Sequence, residues 1–319
     1  MNTAASGHVP VMLDQVRELF APALDGAGAV LVDATLGRAG HTMALLDDHQ
    51  QLTVIGIDAD QAAIDASRLL LRADQGRVTL VHAVYDQIPA VLADLRLRAV
   101  QGVLFDLGVS SPQLDDAGRG FSYAHDAPLD MRMDRAGPLT AADVVNTYPA
   151  ARLARILADY GEERFARRIA EALVRERQRS PVTSTARLAD IVKESIPAPA
   201  RRTGGNPAKR TFQALRIEVN DELGSLQRAV PAALDAVAVG GRIVVLAYHS
   251  LEDRIVKREF AGRATDSTPV GLPVPLAAAR PQFRLLTSGA QRPTQTELAA
   301  NPRAASARLR AAERVRAAA

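Results

Sequence analysis

Val30-Leu31-Val32-Asp33-Ala34-Thr35-Leu36-Gly37-Arg38-Ala39-Gly40-His41 is an apolar run of strand length that closes on an acid and then on two glycines. It reads as a buried strand and a tight turn, since strands covered on both faces are continuous runs of Val, Ile and Leu. Three further runs repeat the theme: Thr53-Val54-Ile55-Gly56-Ile57-Asp58, Val78-Thr79-Leu80-Val81-His82-Ala83 and Gly102-Val103-Leu104-Phe105-Asp106. Helical stretches separate them, from Thr42 to about Asp48, Gln61 to about Ala73 and Ile88 to about Leu95. Strands that alternate with helices predict an α/β fold, with a parallel sheet covered by helices on both faces.

The alternation stops after Asp106. Leu107 to Asp134 is rich in Gly, Pro, Ser and Asp and reads as an ordered loop. Helical patterns follow over Thr140 to Asn146, Ala150 to Gln178 and Ser184 to Ser195, and Arg201 to Pro207 reads as an exposed loop. A long helix from Thr211 to about Val237 leads through Gly240-Gly241 into the strand Arg242–Tyr248. A short helix over Leu251–Phe260, a Pro-rich loop around 266–281 and two closing strands near Phe283–Leu286 and Ala307–Arg310 end the chain. The organisation predicted is therefore one α/β domain, 1–109 and 209–319, with a helical insertion over 110–208.

Composition narrows the class. The 319 residues contain no Cys, which excludes disulfides, thiolate metal sites and a cysteine nucleophile. No apolar run approaches the roughly 18–20 residues that span a bilayer, and Met1–Val16 lacks a basic stretch followed by an apolar core. A cytoplasmic protein with no membrane partner is expected. Net charge is only +3, but residues 151–210 hold 14 basic against 7 acidic side chains. Lys193, Lys209 and Lys257 are the only lysines among 39 basic residues. A basic segment on a near-neutral body is either a solvated helical surface or a contact for an anionic polymer.

Candidate chemistry lies at the strand ends. In open α/β sheets ligands bind at the carboxyl ends of strands, where a glycine turn into a helix offers backbone N–H groups. Gly37 and Gly40 let a ligand approach closely, although Gly37-x-x-Gly40 is not a full GxGxxG pattern and serves a plain tight turn equally well. Asp58, 18 residues after Gly40, can accept both ribose hydroxyls of a nucleoside; Asp60 suits the N-cap of the next helix. An acid there fits either NAD or S-adenosylmethionine. Tyr85 can pack on an adenine or simply join the core. Asp106 opens the loop Asp106-Leu107-Gly108-Val109-Ser110-Ser111-Pro112-Gln113-Leu114-Asp115. Such a loop can orient a weakly nucleophilic exocyclic amine, whose protons need acceptors.

These segments resemble the bacterial 16S rRNA (cytosine-N4) methyltransferase family of the RsmH type. The resemblance rests on His8–Asp14, Asp33–His41, Asp106–Asp115, Arg119–Tyr123, Pro128–Asp134, Tyr160–Phe165, Arg210–Asn220, His249–Arg254 and Asn301–Arg303, in order along nearly the whole chain. It implies a class I S-adenosylmethionine-dependent methyltransferase, Rossmann-like, with an inserted helical substrate-recognition domain. It implies N4-methylation of a cytosine in the P-site region of 16S rRNA, within the small ribosomal subunit. S-adenosyl-L-methionine contacts are expected at Gly37, Ala39, Gly40, His41, Asp58, Tyr85, Asp106 and Gln113, and His8 is a further candidate. Asp106, Ser110 and Ser111 are the expected catalytic set; Arg201, Arg202 and Arg210 are the expected RNA contacts. No metal is required. A dimer is compatible with the sequence, which does not fix the assembly. The family usually has Gly where this chain has Ala39, which matters if that backbone needs φ > 0.

Other readings are weaker. DNA amino-methyltransferases carry a Ser/Asp-Pro-Pro-aromatic loop, whereas this chain has Ser110-Ser111-Pro112-Gln113. A dehydrogenase wants a fuller glycine fingerprint, and a non-catalytic rRNA-binding factor need not keep Asp58, Asp106 and Gln113 together. Asp130 and Asp134 could share a helix face and a cation, but Arg132 between them favours a salt-bridged loop. His249 and Asp253 have helical spacing without forming HExxH, so a zinc site is not expected.

Overall fold

The computed structural model describes residues 9–201, 206–266, 268 and 279–317. His8 and Arg202 lie outside them. By its contacts the chain divides into two units, Met1–Gly108 with Gly224–Ala319, and Val109–Leu223.

The first unit carries α1 (Leu13–Leu24), β1 (Val30–Asp33), α2 (Gly40–Asp48), β2 (Thr53–Asp58), α3 (Gln61–Leu70), β3 (Val78–His82), α4 (Ile88–Asp94) and β4 (Val100–Asp106). The second carries α5 (Ser111–Asp115), α6 (Ala141–Thr147), α7 (Ala150–Asp159), α8 (Ala166–Arg177), α9 (Thr185–Ser195), α10 (Ala198–Arg201) and α11 (Lys209–Asn220). The chain then runs through α12 (Glu222–Ala236), β5 (Val237–Ala247), α13 (Ser250–Ala264), β6 (Phe283–Leu285), α14 (Gln295–Ala300) and β7 (Arg308–Arg314).

The sheet has the order β3-β2-β1-β4-β5-β7-β6. β1 to β5 pair in parallel, and β7 runs antiparallel to both β5 and β6. From β1 the chain first adds β2 and β3 on one side, then β4 and β5 on the other. The crevice beside the carboxyl ends of β1 and β4 is thus a topological switch point, where α/β sheets bind ligands. The central strands are apolar because both faces are covered: Leu31, Val103, Leu104, Phe105 and Ile243 are fully buried. α1 buries Val16, Phe20 and Leu24, spaced four apart on one face. It sits so close to β4 that a Cβ on Gly102 would meet the Phe20 ring at 3.0 Å and Leu31 Cδ1 at 2.6 Å. Burying a side chain such as Phe20 contributes roughly 1.5–3 kcal/mol.

The helical unit has its own core, including Val144, Leu153, Leu157, Ile169, Leu173, Leu188, Val192 and Leu215. Two helices expected to be continuous are each broken. The stretch 150–178 forms α7 and α8, because Gly161 packs against the chain (a Cβ there would lie 2.6 Å from the Arg210 carbonyl) and Glu162 turns to φ 49°. The stretch 211–237 forms α11 and α12, broken at Asp221 with φ 47°. α11 packs on α6 and α7 and places Phe212, Ala214 and Leu215 in the helical core. The compact helical unit therefore extends to Leu223, beyond the 208 expected from the pattern of strands and helices. α1 and α14 are absent from the sequence reading, although α1 carries apolar residues at helical spacing. No helix among the described residues is long and apolar enough to cross a membrane.

Candidate active site

Three of the parallel strands end on aspartate: Asp33, Asp58 and Asp106. Asp33 is almost fully enclosed, with 2% of its surface exposed. Its carboxylate accepts from Thr42 Oγ1 at 2.6 Å and from the Thr35 N–H at 3.3 Å. Burial pushes this carboxyl above the usual range, against the hydrogen bond from Thr42. The turn that follows is left-handed at Gly37, φ 53°, and at Ala39, φ 58°, before α2 begins at Gly40. A Cβ on Gly40 would come within 2.6 Å of Pro10 Cγ, so only glycine fits. The positive φ at Ala39 is the conformation that favours the glycine usual there.

Asp58 faces this turn across β2. Its Oδ2 accepts the Gly37 N–H at 2.7 Å and its Oδ1 accepts the Asp60 N–H at 2.8 Å. Desolvation outweighs those two bonds and raises its carboxyl to about 6. Of the two acids, Asp60 takes the helix cap, its Oδ1 accepting from the Ala62 N–H at 3.0 Å. Tyr85 follows β3 in a single 3₁₀ turn and meets Phe105 edge to face at 5.8 Å.

Asp106 is held from three directions. Its backbone N–H donates to Thr35 Oγ1 at 2.6 Å, and the Tyr248 hydroxyl donates to its Oδ1 at 2.6 Å. His41 Nδ1 lies 3.7 Å from its Oδ2, while His41 Nε2 reaches the Val11 carbonyl at 3.0 Å. A carbonyl only accepts, so Nε2 carries the proton. Burial first, then the Asp106 charge, push the Tyr248 hydroxyl well above its ordinary range. Tyr248 leaves β5 in a turn whose N–H, with that of His249, donates to Glu252 Oε2 at 2.7 and 3.1 Å. Gly108, φ 99°, passes against the Tyr248 ring, 3.4 Å from where a Cβ would sit. Asp33 and Tyr248 are the residues that sequence reasoning missed. Asp33 reads in the sequence as a strand end with no assigned role, and Tyr248 is paired with a residue 142 positions away.

Gly37, Ala39, Gly40, His41, Asp58 and Asp106 thus gather at one end of the sheet. Ser110 and Gln113 belong to the second unit, where the Ser110 N–H donates to Gln113 Oε1 at 3.0 Å and Gln113 is buried. Ser111 opens α5. Of the expected RNA contacts, Arg201 Nε donates to the Ile196 carbonyl at 2.6 Å, and Arg210 Nη1 donates to the Glu162 carbonyl at 2.8 Å. Both guanidiniums satisfy carbonyls of their own chain.

Several long motifs prove to be locks within the helical unit. Asp130 and Arg132 form a two-pronged ion pair, 2.7 and 2.9 Å, in place of a cation site. Asn220 receives the Met133 N–H at 2.7 Å and donates to the Met131 carbonyl at 2.8 Å. Gln213 donates to the Tyr160 carbonyl at 2.9 Å. In the first unit Asp253 pairs with Arg310 at 2.6 Å and Arg308 at 3.4 Å, away from any zinc role. Among the described residues no group of three His, Asp or Glu side chains could hold a metal ion.

The strand order with a single reversed strand, the glycine turn after β1, and acids ending β1, β2 and β4 define a class I, Rossmann-like methyltransferase. Residues 5–315 match the MraW methylase family. The chain is 62% identical over 312 residues to Ribosomal RNA small subunit methyltransferase H of Thermobifida fusca, covering 98% of this chain and 94% of that one. It is 63% identical over 308 residues to the protein of the same name from Frankia alni, covering 96% and 95%. An rRNA methylase structure from Streptococcus thermophilus is similar at 12% identity and TM-score 0.44, over 97% of this chain and 99% of that one. This chain belongs to the MraW methylase family and is a methyltransferase.

The residues present fit S-adenosylmethionine. Asp58 is a desolvated carboxylate whose donors among the described residues are backbone N–H groups, suited to ribose hydroxyls. The Gly37–Gly40 turn brings main chain to the crevice, with no side chain at Gly37 or Gly40.

Proposed function

We propose that the chain methylates the N4 amine of one cytosine in the P-site region of 16S rRNA, within the small ribosomal subunit, and that it works in the cytoplasm. The reading is carried by Asp106, which ends β4 with its backbone and carboxylate both tied down. S-adenosylmethionine supplies an electrophilic methyl when bound. The chain supplies positioning. Asp58 accepts the ribose hydroxyls, the Gly37–Ala39–Gly40 turn and His41 line the methionine end, and Tyr85 packs on the adenine. Asp106 accepts a hydrogen bond from the target amine and aligns its lone pair; Ser110 and Ser111 serve the same end, and Gln113 is a cofactor contact. An amine conjugated with its ring gains most from such alignment, and holding it within reach is worth orders of magnitude in rate. The cytosine is flipped out, because a paired amine is out of reach. The 1–109 and 209–319 segments carry the transfer chemistry; the helical insertion recognises RNA.

The test is mass spectrometry of 16S rRNA from cells with and without this protein, followed by restoration with the purified chain and S-adenosylmethionine. One P-site cytosine should lose its N4 methyl and regain it. An unchanged nucleoside profile would sink the reading.

A further inference from the structure

We infer that the outer face of α8, with the turn after it, is the surface on which the phosphodiester backbone of the substrate RNA lands. This rests on the proposed rRNA substrate and says where in the helical unit the RNA is held. α8 turns Ile169, Ala170 and Leu173 inward. Arg168 and Arg175, seven residues apart, fall on one outer face at about 3.6 residues per turn. Arg179 follows in the next turn. These three, with Glu176, Glu194 and Ser195, line a cleft of about 230 Å³ between α8 and α9.

What sets these arginines apart is their lack of internal work. Arg177, on the same helix, donates to the Val145 and Tyr148 carbonyls at 2.8 and 2.7 Å. Arg201 and Arg210 are tied to backbone in the same way. Arg187 occupies Glu176 at 2.6 Å, which removes that acid as a partner for the cleft arginines. Arg175 has only a loose contact with Glu171, 4.0 Å apart and both 65% exposed. The side chains of Arg168 and Arg179 have no ion pair or hydrogen bond among the described residues.

Helix stability does not explain them all. Arg175 and Arg177 suit the helix C-terminus. Arg167 and Arg168, however, sit in the first turn, which has no acid, and there a positive charge opposes the helix dipole. Guanidiniums placed against the dipole and left in solvent suit phosphates, which accept their paired N–H groups.

The experiment compares two variants of the full chain by filter binding to a 16S rRNA transcript and to purified small subunits over a range of salt. For R168Q/R175Q/R179Q the dissociation constant should rise at least about 10-fold, and the log–log salt slope should fall by about 2, at roughly 0.7–0.9 per lost phosphate contact. S-adenosylmethionine affinity and the thermal melt should not move. R168K/R175K/R179K should restore most of the slope. R201Q/R210Q should lower the melting temperature and leave the slope unchanged. A wild-type slope in the α8 variant, or a slope lost only in R201Q/R210Q, overturns the inference. A wild type that binds neither transcript nor subunits overturns the proposed function with it.

Discussion

The strand ends of the α/β unit and the outer helices of the second unit handle charge in opposite ways. At the strand ends, Asp33 and Asp58 are withdrawn from water and bonded to hydroxyl or backbone donors, with no guanidinium partner among the described residues. On α8, guanidiniums stand in solvent with few partners. Burial makes each carboxylate strong and singular, since a desolvated charge interacts through a low dielectric. Exposure makes each arginine weak and additive, because screening limits what any one contact contributes. Loss of one acid should therefore be severe, whereas arginines should fail only in groups.

The largest effect expected is at Asp106. Asp106→Asn keeps the side chain's shape but removes its charge. The amine gains positive charge as the methyl arrives, so the carboxylate acts more in the transition state than in the ground state. Single turnover at saturating S-adenosylmethionine should slow at least ~100-fold, about 2.7 kcal/mol, with RNA affinity little changed. A near-normal rate would make Asp106 a binding residue only and break the contrast between the two regions.

Next comes Asp58. Asp58→Ala should weaken S-adenosylmethionine at least ~10-fold by calorimetry, from loss of charged hydrogen bonds worth roughly 1.5–3 kcal/mol. Its pH dependence has two signs. Burial raises the folded carboxyl to about 6, above its unfolded value, so protonation favours the folded chain. This group therefore adds stability as pH falls from about 6 toward its unfolded value of about 4, and that contribution is lost as pH rises through 6. Ribose hydroxyls need the charged form, so cofactor affinity should instead fall as pH drops below about 6. Asp58→Asn should flatten both dependences; unaltered curves would place the titration elsewhere.

Much of this was legible because parallel strands are written as continuous apolar runs. All four early strands appear within a residue or two of expectation, and with them Asp58 and Asp106 at their ends. The breaks at Gly161 and Asp221 were not legible. Each depends on a neighbour distant in the chain or on one left-handed residue, which helical periodicity does not report. The role of Tyr248 was hidden for the same reason, since its partner is Asp106. The basic excess marked a segment, but sequence could not sort its arginines. Whether a guanidinium closes a carbonyl or faces water is decided by packing alone.

Tyr248 offers a smaller and sharper test. Tyr248→Phe removes one hydrogen bond to a charged acceptor and little volume. The single-turnover rate should fall about 10-fold, or about 1.4 kcal/mol, just under the roughly 1.5–3 kcal/mol such bonds contribute. If Tyr248 acts through Asp106, the change should cost nothing further in the Asp106→Asn background. Additive losses would show Tyr248 acting on its own, and the strand-end acids would then be less singular than the contrast requires.

The smallest effect belongs to Ala39, where opposing terms nearly cancel. Its left-handed φ of 58° costs roughly 1–2 kcal/mol that glycine would not incur. Its methyl is fully buried, and removing it forfeits about 0.8 kcal/mol of burial. Glycine also frees the unfolded chain, a further loss of roughly 0.4–1 kcal/mol. Ala39→Gly should therefore leave unfolding free energy in denaturant within about 1 kcal/mol of the parent, because relief of strain and loss of packing are of similar size. The turn keeps its shape in either case, since Gly37, Gly40 and the bond that the Gly37 N–H donates to Asp58 hold it. S-adenosylmethionine affinity should accordingly stay within about threefold, less than one kcal/mol. A gain of tenfold or more would mean that the Ala39 methyl itself crowds the ligand. The departure from glycine would then weaken the site through direct contact, with backbone strain no longer the explanation.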